Sequence, residues 1–199
     1  MIRTPLALIL YLIAAVAVAA GLLWHASDSF SGANRVVSQG EVLIGGPFVL
    51  TDQDGKTRRS ADFRGRFMLV YFGYSYCPDI CPTTLAVMAD ALEKLGPEAA
   101  RVTPVFITVD PERDTPGVLK AYLKSFGSRF VGLTGDEKAV AAAARAYRVY
   151  YQKRPLKGGG YAMDHSSQIY LMGPDGKFIA NYDETLGPDG LAQALKKQV

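Results

Sequence analysis

The stretch Phe67-Met-Leu-Val-Tyr-Phe-Gly-Tyr-Ser-Tyr-Cys77-Pro-Asp-Ile-Cys81-Pro-Thr-Thr-Leu85 decides the fold. Its opening residues, Phe67 to Phe72, form a short apolar run bounded by turn residues, the pattern of a core strand in a parallel or mixed sheet. From Leu85 onward the apolar positions Leu85, Met88, Leu92 and Leu95 fall at helical spacing. The only two cysteines of the chain, Cys77 and Cys81, therefore stand where a strand hands over to a helix. Open α/β sheets place their sites at that carboxyl end.

Four residues apart on a helical turn, two side chains share a face with Cβ atoms roughly 5–6 Å apart. That separation lets two thiolates converge on one metal ion. With modest adjustment it also allows a disulfide, which needs Cβ atoms about 3.5–4.5 Å apart. Pro78 and Pro82 lack N–H groups, so neither belongs deep in a helix. The reading is a wound loop from Cys77 to Cys81, with the regular helix starting near Pro82. Free backbone N–H groups at the helix start favour the thiolate, which is both the nucleophile and the metal ligand. The plain alternative is a structural disulfide in an exported domain. A bridge closing so short a loop constrains little of the unfolded chain, which weighs toward a functional dithiol.

Upstream, residues 5–24 carry no charged side chain, close to the roughly 20 apolar residues that span a bilayer. Arg3 and the amino terminus precede them, so residues 1–4 are expected to stay cytoplasmic. The small residues of Ala15 to Ala20 offer cleavage sites for a signal peptide. The apolar run continues past them to Trp24, which favours an uncleaved anchor. No Arg- and Ser-rich transit segment precedes it, which points to a bacterial inner membrane with the domain facing the periplasm. Residues 25–40 are polar and small, a tether. His25, at the membrane boundary, carries little weight as a ligand. A net charge of +3, dispersed along the chain, gives no case for nucleic acid.

The domain is read as residues 41–199. Strands are expected at Pro47–Thr51, after a turn at Asp52–Gly55, at Phe67–Phe72 and at Val102–Val109, with regular pairing of the last starting after Pro104. Thr115 and Pro116 suit the cap and first position of a helix whose inward stripe includes Leu119 and Leu123, ended by Gly127. A strand at Phe130–Leu133, a helix capped by Asp136, a hairpin over Ile169–Tyr182 and a helix from about Pro188 to Lys197 complete the pattern. Between them, Tyr150 to Gly160 is aromatic, then basic, then glycine-rich, and reads as a mobile loop or a hairpin. The order is that of an α/β, thioredoxin-like fold with extra N-terminal strands, preceded by one transmembrane helix.

His165 is the only histidine of this domain, in Met163-Asp-His-Ser-Ser167 just before the hairpin strand. In a thioredoxin-like sheet that entry loop packs beside the dithiol helix. Two soft thiolates and an imidazole make a low-coordinate site suited to Cu(I). A structural histidine is the rival. Asp164 reads as a turn residue, with a hydrogen bond to the imidazole as a second role. Asp110, Glu112, Arg113 and Asp114 read as a solvated turn and cap, with contact to a partner as the alternative for Asp110.

Phe72 to Leu85, Thr108-Val-Asp-Pro-Glu-Arg-Asp-Thr115, Val131 to Gly135, Ala144 to Tyr151, Asp164-His165-Ser166 and Tyr170 to Gly176 span nearly the whole exported domain in order. In these residues the chain resembles the Sco (SenC) family of membrane-anchored copper chaperones for cytochrome c oxidase. It implies one copper ion held by Cys77, Cys81 and His165, and a role in building the binuclear copper site of oxidase subunit II. Other copper chaperones and thiol reductants are further expected partners. No proline stands just before Ile169, where thioredoxins proper carry one, which points away from general disulfide exchange.

Three readings compete. The first is a copper-delivering protein with no catalytic residues. The second is a thiol–disulfide oxidoreductase that reduces the oxidase cysteines through a redox-active Cys77–Cys81 pair. The third, a thiol peroxidase, is disfavoured because no arginine is obviously placed to activate the thiol. Lys153, Arg154 and Lys157 are expected to steer an acidic partner face and to let His165 swing aside during transfer.

Overall fold

The computed structural model describes residues 43–199. Segments 1–4, 5–24 and 25–40, read above as cytoplasmic start, membrane anchor and tether, lie outside the described residues. Among the described residues, no helix is long and apolar enough to cross a membrane.

Phe67–Gly73 forms the central strand β3, and all seven of its residues are buried. It follows the short N-terminal strands β1 (Val49–Asp52) and β2 (Thr57–Arg59). Helix α1 (Ile80–Leu95) crosses to β4 (Val102–Thr108), which runs parallel to β3 in register from Phe67 opposite Val102 to Gly73 opposite Thr108. Helix α2 (Pro116–Leu123) leads to β5 (Val131–Thr134), again parallel. Helix α3 (Glu137–Ala146) precedes a hairpin of β6 (Tyr151–Pro155) and β7 (Tyr161–His165). Strands β8 (Ile169–Met172) and β9 (Phe178–Tyr182) and helix α4 (Gly187–Lys196) close the chain. The main sheet has the order β2-β1-β5-β4-β3-β8-β9, while β6 and β7 form a separate two-stranded sheet.

Successive residues of a strand point to opposite faces. Tyr71 meets Phe106 and His165 on one face, and Phe72 meets Tyr147 and Tyr170 on the other. Helix α1 turns Leu85, Met88, Leu92 and Leu95 inward, where each buried side chain contributes about 1.5–3 kcal/mol. Thr115 and Asp136 cap α2 and α3 as expected, their side chains accepting from the N–H of Val118 and of Ala139.

Two expectations change and one open reading closes. Helix α1 starts at Ile80 rather than near Pro82, which puts Cys81 inside its first turn. Pro82 is tolerated there because the N–H it lacks would have no partner within the helix. Pairing with β3 runs through Pro104 instead of starting after it. Strand β5 begins only opposite Val105, so at Pro104 the ladder has a neighbour on one side only. Of the two readings of the segment after Tyr150, loop or hairpin, the structure has the hairpin, turning at Leu156–Gly160.

Candidate metal centre

Cys77 sits in the loop after β3, Cys81 in the first turn of α1, and His165 at the end of β7. Their ligand atoms all lie within 4.8 Å of one another, and among the described residues no other cluster of three such groups could hold a metal ion. Cys81 is buried, Cys77 partly so, and both thiols are free. Cys81 Sγ lies 3.2 Å from His165 Nε2. The Cys81 N–H donates to Cys77 Sγ at 3.4 Å.

The geometry has local causes. Gly73 ends β3 beneath Cys81, and a Cβ there would come within 2.9 Å of its sulfur. The His165 ring stands edge-on to Tyr71 and Tyr74, with centroids 6.2 and 5.8 Å away. Its Nδ1–H donates to the Ser166 carbonyl at 2.9 Å, which turns Nε2 toward the sulfurs. Ser166 is itself fixed by paired bonds to the backbone of Tyr150. The Tyr71 hydroxyl is buried, and burial before all else pushes its pKa well above the usual phenol range.

The two thiols are unequal. A hydrogen bond from Cys81 holds Cys77 well below the ordinary thiol range, to about 3; burial opposes this, and His165 and the N–H groups of Asp79 and Cys81 assist. Cys81 is pushed up, first by donating to Cys77 and then by burial. The arrangement presents one thiolate, a thiol with an adjacent proton acceptor, and an imidazole nitrogen. That soft donor set suits a low-coordinate soft cation, or two electrons stored as a disulfide.

Asp164 does not bond the imidazole. It pairs with Arg154 at 2.7 Å, and the Ser166 carbonyl takes the place expected of it. Asp110 and Asp114 are buried rather than solvated, so Asp110 offers no surface for a partner. Asp114 accepts from the N–H and hydroxyl of Ser75 and from the Thr108 hydroxyl, which ties the cysteine loop to β4. Lys153 is bonded to Glu112 and Arg154 to Asp164, so two of the three hairpin cations expected to steer a partner are paired with carboxylates of this chain. Ser75 and Ser166 are visible in the sequence only as members of their motifs and Tyr161 not at all, because serines and tyrosines carry no positional signal until the fold brings them to the site.

The SCO1/SenC family model matches residues 36–199. The chain belongs to the SCO1/SenC family. It is 40% identical over 163 residues to the mitochondrial SCO1 homolog 1 of Arabidopsis thaliana, covering 81% of this chain and 49% of that protein. It thus spans about half the length of that relative. The copper-bound structure of Bradyrhizobium japonicum ScoI superposes with a TM-score of 0.73 at 45% identity, covering 78% of this chain and 99% of that one. BsSco, a member of the Sco family of cytochrome c oxidase assembly proteins in which a disulfide switch was identified, superposes with a TM-score of 0.63 at 28% identity, covering 79% and 95%. The mixed α/β sheet is that of the thioredoxin-like Sco structures.

Proposed function

We propose that this chain binds one copper ion through Cys77, Cys81 and His165 and delivers it to cytochrome c oxidase during assembly of the binuclear copper site of subunit II. The carrying observation is the convergence of two sulfurs and one imidazole nitrogen within 4.8 Å, with the ring held in place by the Ser166 carbonyl. Copper in ScoI and the oxidase-assembly role of BsSco's family support the reading. Copper is cargo here. Three donors hold Cu(I) while leaving room for an incoming ligand, and partial exposure of Cys77 gives the acceptor a place to attack.

Residues 5–24 anchor the domain in a bacterial inner membrane, and the domain faces the periplasm; the uncharged run and Arg3 before it support this placement. The deciding experiment titrates copper into the exported domain with its thiols reduced and then oxidised. The reduced form is expected to bind one ion and the oxidised form none, since a disulfide removes both thiolates. Equal tight binding by the oxidised form would sink the assignment.

The unequal thiols favour a second reading, reduction of the oxidase cysteines. Cys77 thiolate attacks one sulfur of the partner disulfide and the other leaves as thiolate. Cys81 then gives up its proton and attacks Cys77, leaving a Cys77–Cys81 disulfide and a reduced partner.

A further inference from the structure

The hairpin that carries His165 is not part of the main sheet. Of its residues only Met163 is buried, and a cleft of about 620 Å³ separates its base from helix α3. The Ser166 carbonyl and the rings of Tyr71 and Tyr74 orient the imidazole itself. The contacts that tie the rest of the hairpin to the cysteine loop converge on Arg113, in the turn between β4 and α2. Its guanidinium lies 3.7 Å from the Tyr161 ring centroid at the start of β7, and its Nη1 donates to the Tyr161 carbonyl at 3.0 Å. The same group lies 4.8 Å from the ring of Tyr76 and 5.6 Å from that of Tyr74, the residues leading into Cys77. Its Nε donates to Asp110, whose other oxygen accepts from the Tyr161 hydroxyl at 2.9 Å. A single side chain thus touches both the cysteine loop and the histidine hairpin.

We infer that Arg113 is a positioning residue that joins the cysteine loop to the histidine hairpin and so sets the approach of His165 to the two thiols. The inference rests on the copper-binding reading for its consequence, but the placement itself exists without metal. A planar guanidinium suits this task, since it stacks on aromatic rings while its fork bonds a carboxylate and a carbonyl, and lysine supplies only the charge. Tyr161 is the matching element on the hairpin. The Arg113 Nη2, buried without a hydrogen-bond partner, shows how far stacking replaces solvent around the group.

The test uses the metal-free domain first. Arg113→Gln is expected to speed amide exchange of residues 161–165 by about tenfold or more while β3 amides change by less than about twofold. Uniform acceleration would mean general destabilisation and overturn the inference. Cu(I) affinity is then measured by competition with a chelator in four proteins: wild type, Arg113→Gln, His165→Ala and the double variant. The expected pattern is a loss of about tenfold or more from Arg113→Gln in the wild-type background and less than about twofold where His165 is absent. Equal losses in both backgrounds, or no loss in either, would overturn it. Should Arg113→Gln fail to fold, Tyr161→Leu removes the stacking partner with the same expectations. Tyr161→Phe, which keeps the ring, should behave close to wild type, and a loss as large as that of Tyr161→Leu would overturn the stacking role. A wild-type domain without copper affinity, paired with selective hairpin exchange in Arg113→Gln, would refute the copper reading and uphold the positioning role.

Discussion

Gly73 and Cys81 are in close approach: a Cβ on Gly73 would stand 2.9 Å from Cys81 Sγ and 3.0 Å from the Phe106 ring. The strand end and the helix start are packed so tightly that one methyl group cannot be inserted without moving the sulfur. Gly73→Ala is therefore expected to cost about 1–3 kcal/mol of stability and to weaken copper binding through displacement of Cys81. Thermal unfolding and copper titration measure the two effects. Unchanged values of both would show that the sulfur has room to yield.

Cys77 is expected to be a thiolate across the physiological range. Its pKa, held at about 3 chiefly by the hydrogen bond from Cys81, means that the thiolate persists as pH falls. Alkylation of the reduced, metal-free domain by iodoacetamide should modify Cys77 at a rate nearly flat between about pH 5 and 8. An ordinary thiol would accelerate by several hundredfold over that range. A rate rising about tenfold per pH unit would contradict the assignment.

His165→Ala separates metal transfer from thiol reduction. Removing the third donor should weaken Cu(I) binding by about two orders of magnitude, whereas the two sulfurs still form and break their disulfide. A chelator competition gives the affinity, and a glutathione equilibrium gives the disulfide potential. If delivery is the function, the variant fails to support oxidase assembly at limiting copper. Near-normal assembly by a folded, copper-free variant would promote the reductase reading.

Asp114 is a buried carboxylate bonded to Ser75 and Thr108, so Asp114→Ala should leave those donors unpaired at a cost of about 2–4 kcal/mol. Burial raises its pKa, against the opposing hydrogen bonds of Ser75 and Thr108. A raised folded pKa adds stability at pH below the unfolded carboxylate value and loses it as pH rises through the folded one. The stability of wild type relative to Asp114→Asn should therefore improve as pH falls from about 7 toward 4. Chemical denaturation at several pH values tests this, and an advantage that shrinks on acidification would reverse the sign.

Much was legible in local pattern. The buried run before Cys77, the helical spacing after Leu85, and the caps at Thr115 and Asp136 each act over a few neighbouring residues, so periodicity and backbone chemistry suffice to read them. The Cys-x-x-x-Cys spacing likewise placed two sulfurs together, because the loop from Cys77 into the first turn of the helix is too short to carry them apart. What joins them to His165 was not local. The partner of the imidazole is a backbone carbonyl, at Ser166, and any residue supplies one. The Asp110–Asp114 turn looked like a solvated charge run, yet Asp110 and Asp114 are buried and Arg113 is stacked between segments that begin near residues 74 and 161. Burial of a charge depends on partners distant in the chain, since only a partner's hydrogen bonds and opposite charge offset the loss of water. The amino-acid sequence by itself determined the strands, the helices and the donor types; the tertiary structure alone decided which polar side chains surround those donors, because desolvation and pairing arise only when remote segments meet.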